Sequence, residues 1–131
     1  MKKGIMLLLA AFLFGACHES LQDRAEREAK EYTRKNCPTP VNNFQRTDSI
    51  SFDRSTNTYH YYCSFTGKLD DKAVIERIRG ELHDGLRKGI KESTSLKAYK
   101  EAGFSFSYTC RSTKDPREVL YKETFTARDY R

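Results

Sequence analysis

Polar and apolar residues alternate along four stretches of the chain and recur at helical spacing along two others. Between Leu21 and Asn36, Leu21, Ala25, Ala29 and Tyr32 return at steps of four and three, one stripe of a helix. Ser20 supplies an N-cap hydroxyl, and Pro38 with Pro40 stops the helix. The stripe is half alanine, so this helix is expected to lie on the fold rather than at its centre. A strand follows around Thr47 to Asp53, where Ile50 and Phe52 alternate with Ser49 and Ser51. Residues 54–57, RSTN, have turn composition, and Thr58 to Thr66 is the partner strand of a hairpin. On it Tyr59, Tyr61, Cys63 and Phe65 share the more apolar face, with His60, Tyr62 and Ser64 opposite.

Asp70 or Asp71 caps a longer helix that runs to about Glu92. Val74, Ile75, Ile78, Leu82, Leu86 and Ile90 fall within about 160° of its circumference. Gly85 and Gly89 lie inside the same arc, which predicts a helix backbone pressed closely on an aromatic sheet. SLKAYKEA at 95–102 reads as a short helix ended by Gly103 as a C′ residue. Phe104, Phe106, Tyr108 and Cys110 then alternate with Ser105, Ser107, Thr109 and Arg111. After a turn at 113–116 comes the last strand, Glu118 to Thr126, with Val119, Tyr121 and Phe125 on one face. The order of N-terminal helix, β-hairpin, long helix and β-hairpin predicts an α+β two-layer sandwich. Its helices cover one side of an antiparallel four-stranded sheet.

Ahead of all this stands MKKGIMLLLAAFLFGAC, which changes the accounting. Two lysines, an apolar run from Ile5 to Phe14, and two small residues follow the order of a secretory signal. The run is shorter than the roughly 20 residues a spanning helix needs. Cys17 directly after Gly15 and Ala16 resembles the lipobox of bacterial lipoproteins, with Phe14 where an aliphatic residue is usual. The resemblance implies cleavage before Cys17 and lipidation of its sulfur. The expected organisation is a signal peptide at 1–16, a lipidated anchor and short tether at 17–20, and a single α+β domain at 21–131. His18 is not the aspartate that marks inner-membrane retention in well-known cases, so the outer membrane is the favoured address.

The formal charge of +6 includes Lys2 and Lys3; without them 22 basic side chains face 18 acidic ones. The charges are interspersed, with no basic stripe of the kind nucleic acid requires. No nucleic-acid partner and no cofactor is expected. Export permits disulfides, and lipidation of Cys17 leaves three thiols, at Cys37, Cys63 and Cys110. Cys63 and Cys110 both point inward by alternation, so they can bridge if their strands are neighbours; Cys37 competes for either. The alternative is that these cysteines are small apolar core residues. No pair has metal-ligand spacing, and no metal site is expected.

Beyond the lipobox, the chain resembles a group of small bacterial envelope lipoproteins. The likeness rests on Cys37-Pro38, Asp48-Ser49-Ile50, Tyr59 with Tyr61, and Tyr99-Lys-Glu-Ala-Gly103 leading to Phe104-Ser-Phe-Ser-Tyr108. It implies a fold and an envelope address, and no catalytic residue follows from it. That group carries a cysteine near position 93, where this chain has Ser93, so no disulfide pairing is carried over.

No catalytic constellation emerges from the residues either. A thiol enzyme needs a base near its cysteine, and His18, His60 and His83 are not placed to serve by periodicity. The outward face of the sheet offers His60, Tyr62 and Arg111 as a binding face for an envelope protein or a glycan. The expected function is therefore a non-enzymatic binding or inhibitor-like module, held to the membrane by its lipid. The alternatives are a structural or assembly subunit of an envelope complex and, behind it, a thiol-dependent enzyme.

Overall fold

The computed structural model describes residues 19–131; the expected signal peptide and the expected lipidation site, Cys17, lie outside the described residues. Helix α1 spans Leu21–Asn36, and the Ser20 hydroxyl accepts the Asp23 amide at 3.0 Å to start it. Strands β1 (Gln45–Asp53) and β2 (Thr58–Phe65) form an antiparallel hairpin. A 3₁₀ turn at Gly67–Leu69 leads to α2 (Lys72–Glu92), whose first amides donate to the Asp71 carboxylate. Helix α3 (Lys97–Glu101) ends at Gly103, in the left-handed conformation at φ 78° that favours glycine. Strands β3 (Ser105–Ser112) and β4 (Val119–Phe125) form the second antiparallel hairpin. A terminal turn of helix, α4 (Ala127–Tyr130), follows; nothing in the alternation foretold it.

The architecture is the α+β arrangement the sequence predicts, with one correction to the sheet. Its order is β1-β2-β3-β4, and the central pair β2 and β3 runs parallel, so the sheet is mixed. The reason is a parity of traverses. Strand β2 ends at Phe65, α2 returns the chain across the sheet, and β3 must start beside Thr58, where β2 began.

The aromatic face is buried as expected. Tyr59, Phe106 and Phe125 join Ala25 and Ala29 of α1, Ile90 of α2, Tyr99, Phe104 and Tyr130 in one core. Phe65, Ile75, Cys110, Leu120 and Tyr121 form a second. Helix α1 is more central than its thin stripe implies, because two alanines let its backbone approach β1 closely: Ala25 and Ala29 are 0% and 1% exposed. The Thr33 hydroxyl bonds both the amide and the carbonyl of Ile50 at 2.9 Å, fastening α1 to β1.

Two further expectations are corrected. Cys110 pairs with Tyr121 but Arg111 pairs with Val119, so Leu120 is an extra residue in a β-bulge. Leu120 is therefore buried, while Val119, expected inward, is 43% exposed. Gly85 and Gly89 are not pressed against the sheet either. A Cβ built at Gly80, Gly85 or Gly89 meets no atom within 4 Å.

Asp70 ties the loop after β2 to the turn between β3 and β4, accepting the Lys114 amide at 3.0 Å. Burial alone would raise its carboxyl pKa, but hydrogen bonds from the Ser112 hydroxyl and the Lys114 amide outweigh it, leaving the value lowered. A carboxylate with a depressed folded pKa stabilises the fold above its unfolded value and loses that contribution as pH falls through the folded one. Melting curves taken from pH 5 downward should therefore show Asp70→Asn losing less stability below about pH 4 than the natural protein does. Parallel acid profiles for the two proteins would remove Asp70 from the acid response.

Candidate functional site

Helix α1 lies along β1 and α2 along β4. Part of the aromatic face on β2 and β3, around the half-buried Tyr61, Cys63 and Tyr108, is left as the floor of a groove between the two helices. One part of the groove is a cavity of about 510 Å³, walled by Glu28, Glu31, Tyr32 and Lys35 of α1 and by Tyr99 with Leu96 at the α3 end. Thr47, Ile50, Tyr59 and Tyr61 form its base. A second cavity of about 440 Å³ lies against α2, between Glu81, Leu82, Gly85 and Leu86 on the helix and Cys63, Tyr108 and Tyr121 on the sheet. The two share Thr47 and adjoin across Tyr61 and Tyr108, whose rings stack at 4.7 Å.

The floor is built from tyrosines where phenylalanine would fill a sealed core equally well. Burial pushes the Tyr59 hydroxyl up to about 12. Burial likewise raises Tyr61, Tyr99 and Tyr108, so all four hydroxyls are neutral donors and acceptors at physiological pH. The Tyr99 hydroxyl is fully buried and finds no hydrogen-bond partner among the described residues. Its ring is held by the Arg24 guanidinium, 5.5 Å from the centroid, and Arg24 in turn pairs with Glu28 at 2.6 Å. An aromatic floor between helix walls that carry charged side chains at Glu28, Glu31, Lys35 and Glu81 gives the groove the make-up of a site for a protein segment.

At the end of the groove away from α3, the surface continues onto Thr39, Pro40, Asn42 and Gln45. Tyr32 is exposed on this surface at 41%, and Val41 and Phe44 are exposed in the loop that follows Pro40, with Lys68 Nζ 4.8 Å over the Phe44 ring. Exposed apolar side chains beside an open groove mark an interaction surface more strongly than scattered ones do.

The residues predicted from sequence fall elsewhere. His60 and Tyr62 stack on each other at 5.9 Å on the opposite face of the sheet. Arg111 lies on that same face but turns to the Pro116 carbonyl at 3.2 Å. Ser107 and Thr109 there are buried beneath their larger neighbours, and Ser107 bonds Thr124 at 3.0 Å. His83, half-buried on α2, meets Glu123, which also accepts the Tyr121 hydroxyl. This is a polar fastening between α2 and β4, with no thiol within it. Cys63 and Cys110 are register partners on neighbouring strands. Cys37 sits just past α1, its thiol pKa raised by burial. Among the described residues no group of three or more side chains could hold a metal ion, and no described helix is long and apolar enough to cross a membrane.

Residues 20–121 match the family model described as Domain of unknown function (DUF8479), and the chain belongs to that family. No curated protein matches it. Among solved structures, a protein of Pseudomonas aeruginosa described as secreted superposes with a TM-score of 0.71 at 16% identity, covering 87% of this chain and 100% of its own. The pilotin EpsS of the Vibrio vulnificus type 2 secretion system gives 0.62 at 13% identity, covering 85% of this chain and 92% of its own. The type II secretion pilotin AspS of Vibrio cholerae gives 0.58 at 13%, with 83% and 91% covered. At such identities the likeness is one of fold.

Proposed function

We propose that this protein is a lipid-anchored assembly component of the cell envelope, which holds a segment of an envelope protein in the groove between α1 and α2. The observation that carries the reading is the groove between the helices, with the half-buried Tyr61 and Tyr108 stacked on its floor. The helices lie on β1 and β4, and Tyr61 and Tyr108 between them stay half-buried. Two of the similar folds belong to pilotins of secretion systems, which supports an assembly role over an inhibitory one. The signal and Cys17 supply the address, with the outer membrane favoured. Helix α1 begins four residues after Cys17, so the domain stays close to the bilayer.

No chemistry beyond binding is assigned. Deleting the protein should displace one envelope protein from its membrane fraction, read by quantitative proteomics of separated inner and outer membranes. Restoring the protein should return that partner to its place. An unchanged distribution of every envelope protein would contradict the assembly role.

A further inference from the structure

The parallel pairing of β2 with β3 sets Cys63 directly opposite Cys110 on the aromatic face, one step beyond the stacked Tyr61 and Tyr108. Adjacent strands run about 4.7–4.9 Å apart, inside the Cα separation of about 4.4–6.8 Å that a disulfide spans. The two thiols are close enough that each perturbs the other's pKa. Both cysteines line the cavity against α2, but Cys63 is half-buried whereas Cys110 is only 4% exposed, so Cys63 is the more accessible to an exchange partner. Cys37 has no strand partner and lies in the loop beyond α1.

We propose that Cys63 and Cys110 form a cross-strand disulfide in the exported protein, fixing the floor of the groove, and that Cys37 stays a free thiol. This rests on the envelope address argued above. The oxidant is a disulfide-bearing donor of the thiol–disulfide exchange class. Cys63, as thiolate, attacks one donor sulfur, releasing the other as a thiolate and leaving a mixed disulfide. Cys110 then gives up its proton and displaces the donor sulfur from Cys63. Two S–H bonds are lost and one S–S bond forms; the protein gives up two electrons and the donor is reduced to two thiols. The order of attack follows from the geometry and agrees with the electrostatics. The proximity of the two thiols lowers the pKa of Cys63 and raises that of Cys110.

The bridge would close a loop containing the whole of α2 and α3. Reduction should therefore lower the melting midpoint by roughly 10 °C. The direct test uses the full chain exported from a bacterial cell with its own leader, quenched in acid, denatured and alkylated with a maleimide before and after reduction. One reactive thiol before reduction, at Cys37, and three after it is the expected result. In the Cys37→Ser chain the counts should be none and two. Leader-free chains that label at Cys63 and Cys110 without reduction overturn the proposal, as does a bridge to Cys37.

Chains that keep their leader would count against the envelope address instead. For these, titration of the purified chain in glutathione buffers decides the pair. A Cys63–Cys110 bridge forming under oxidising conditions supports it, and two persistent thiols overturn it. None of these readings depends on whether a protein partner is captured.

Discussion

Gly85→Trp should lower capture of the groove's partner at least ten-fold while leaving the protein folded. Gly85 lies on the wall of the cavity against α2, and a Cβ there meets no atom within 4 Å. An indole at this position therefore projects into the space the partner needs without displacing anything of the protein's own. Glycine in a helix interior costs about 1 kcal/mol relative to alanine, and tryptophan less, so the melting midpoint should hold or rise slightly. Loss of binding without loss of stability is the signature of a blocked site. Gly80→Trp is the control. Its Cβ is equally unobstructed, but Gly80 lines neither cavity, so capture should be unchanged. Equal losses in both variants would mean that α2, and not the groove, makes the contact.

The largest effect on stability is expected at Phe106. Its side chain is 0% exposed at the centre of the sheet, beside Phe125 on one strand and Tyr59 on the other, with Tyr130 edge-on at 5.8 Å. Phe106→Ala removes a ring that these neighbours cannot close over, at a cost of about 3–5 kcal/mol. That is a large share of the 5–15 kcal/mol typical of a whole domain, and the melting midpoint should fall by roughly 10–20 °C. Val119→Ala, on the exposed side of the bulge, should stay within about 0.5 kcal/mol. Comparable losses at the two positions in urea unfolding would contradict the register of β3 against β4.

Much of this fold could be read from the chain, for reasons that can be named. Ser20 and Asp71 cap helices where the apolar spacing begins, and both caps are made. The run from Phe104 to Arg111 alternates without interruption, so the face of every residue in β3 follows from the first. Strand direction could not be read in the same way, because alternation looks identical in parallel and antiparallel pairs. Counting traverses would have revealed it, since one helix between two hairpins returns the chain to where β2 began. The bulge at Leu120 was hidden because one extra residue changes the inward set without changing composition.

The groove was harder still. Its existence depends on how far apart α1 and α2 settle on the sheet, and no local pattern encodes that distance. One trace of it was present: Tyr59, Tyr61 and Tyr108 carry hydroxyls on a face that reads as core. His60, Tyr62 and Arg111 were legible because strand alternation puts them together on the face opposite the groove, where His60 and Tyr62 stack and Arg111 donates to the Pro116 carbonyl. The glycines of α2 misled for a reason of their own. Helical glycine inside an apolar arc can mean close packing or open space, and only the neighbouring element decides between them.

Which face meets the partner can be measured in one experiment. A photo-crosslinking amino acid is placed singly at Tyr32 or Lys35 on the groove rim, and at His60 or Tyr62 on the opposite face, in cells that make the protein at its natural level. Adducts from the rim positions should map by mass spectrometry to one continuous segment of one envelope protein, and Gly85→Trp should remove them. Adducts that form only from His60 and Tyr62, and survive Gly85→Trp, would contradict the groove as the docking site.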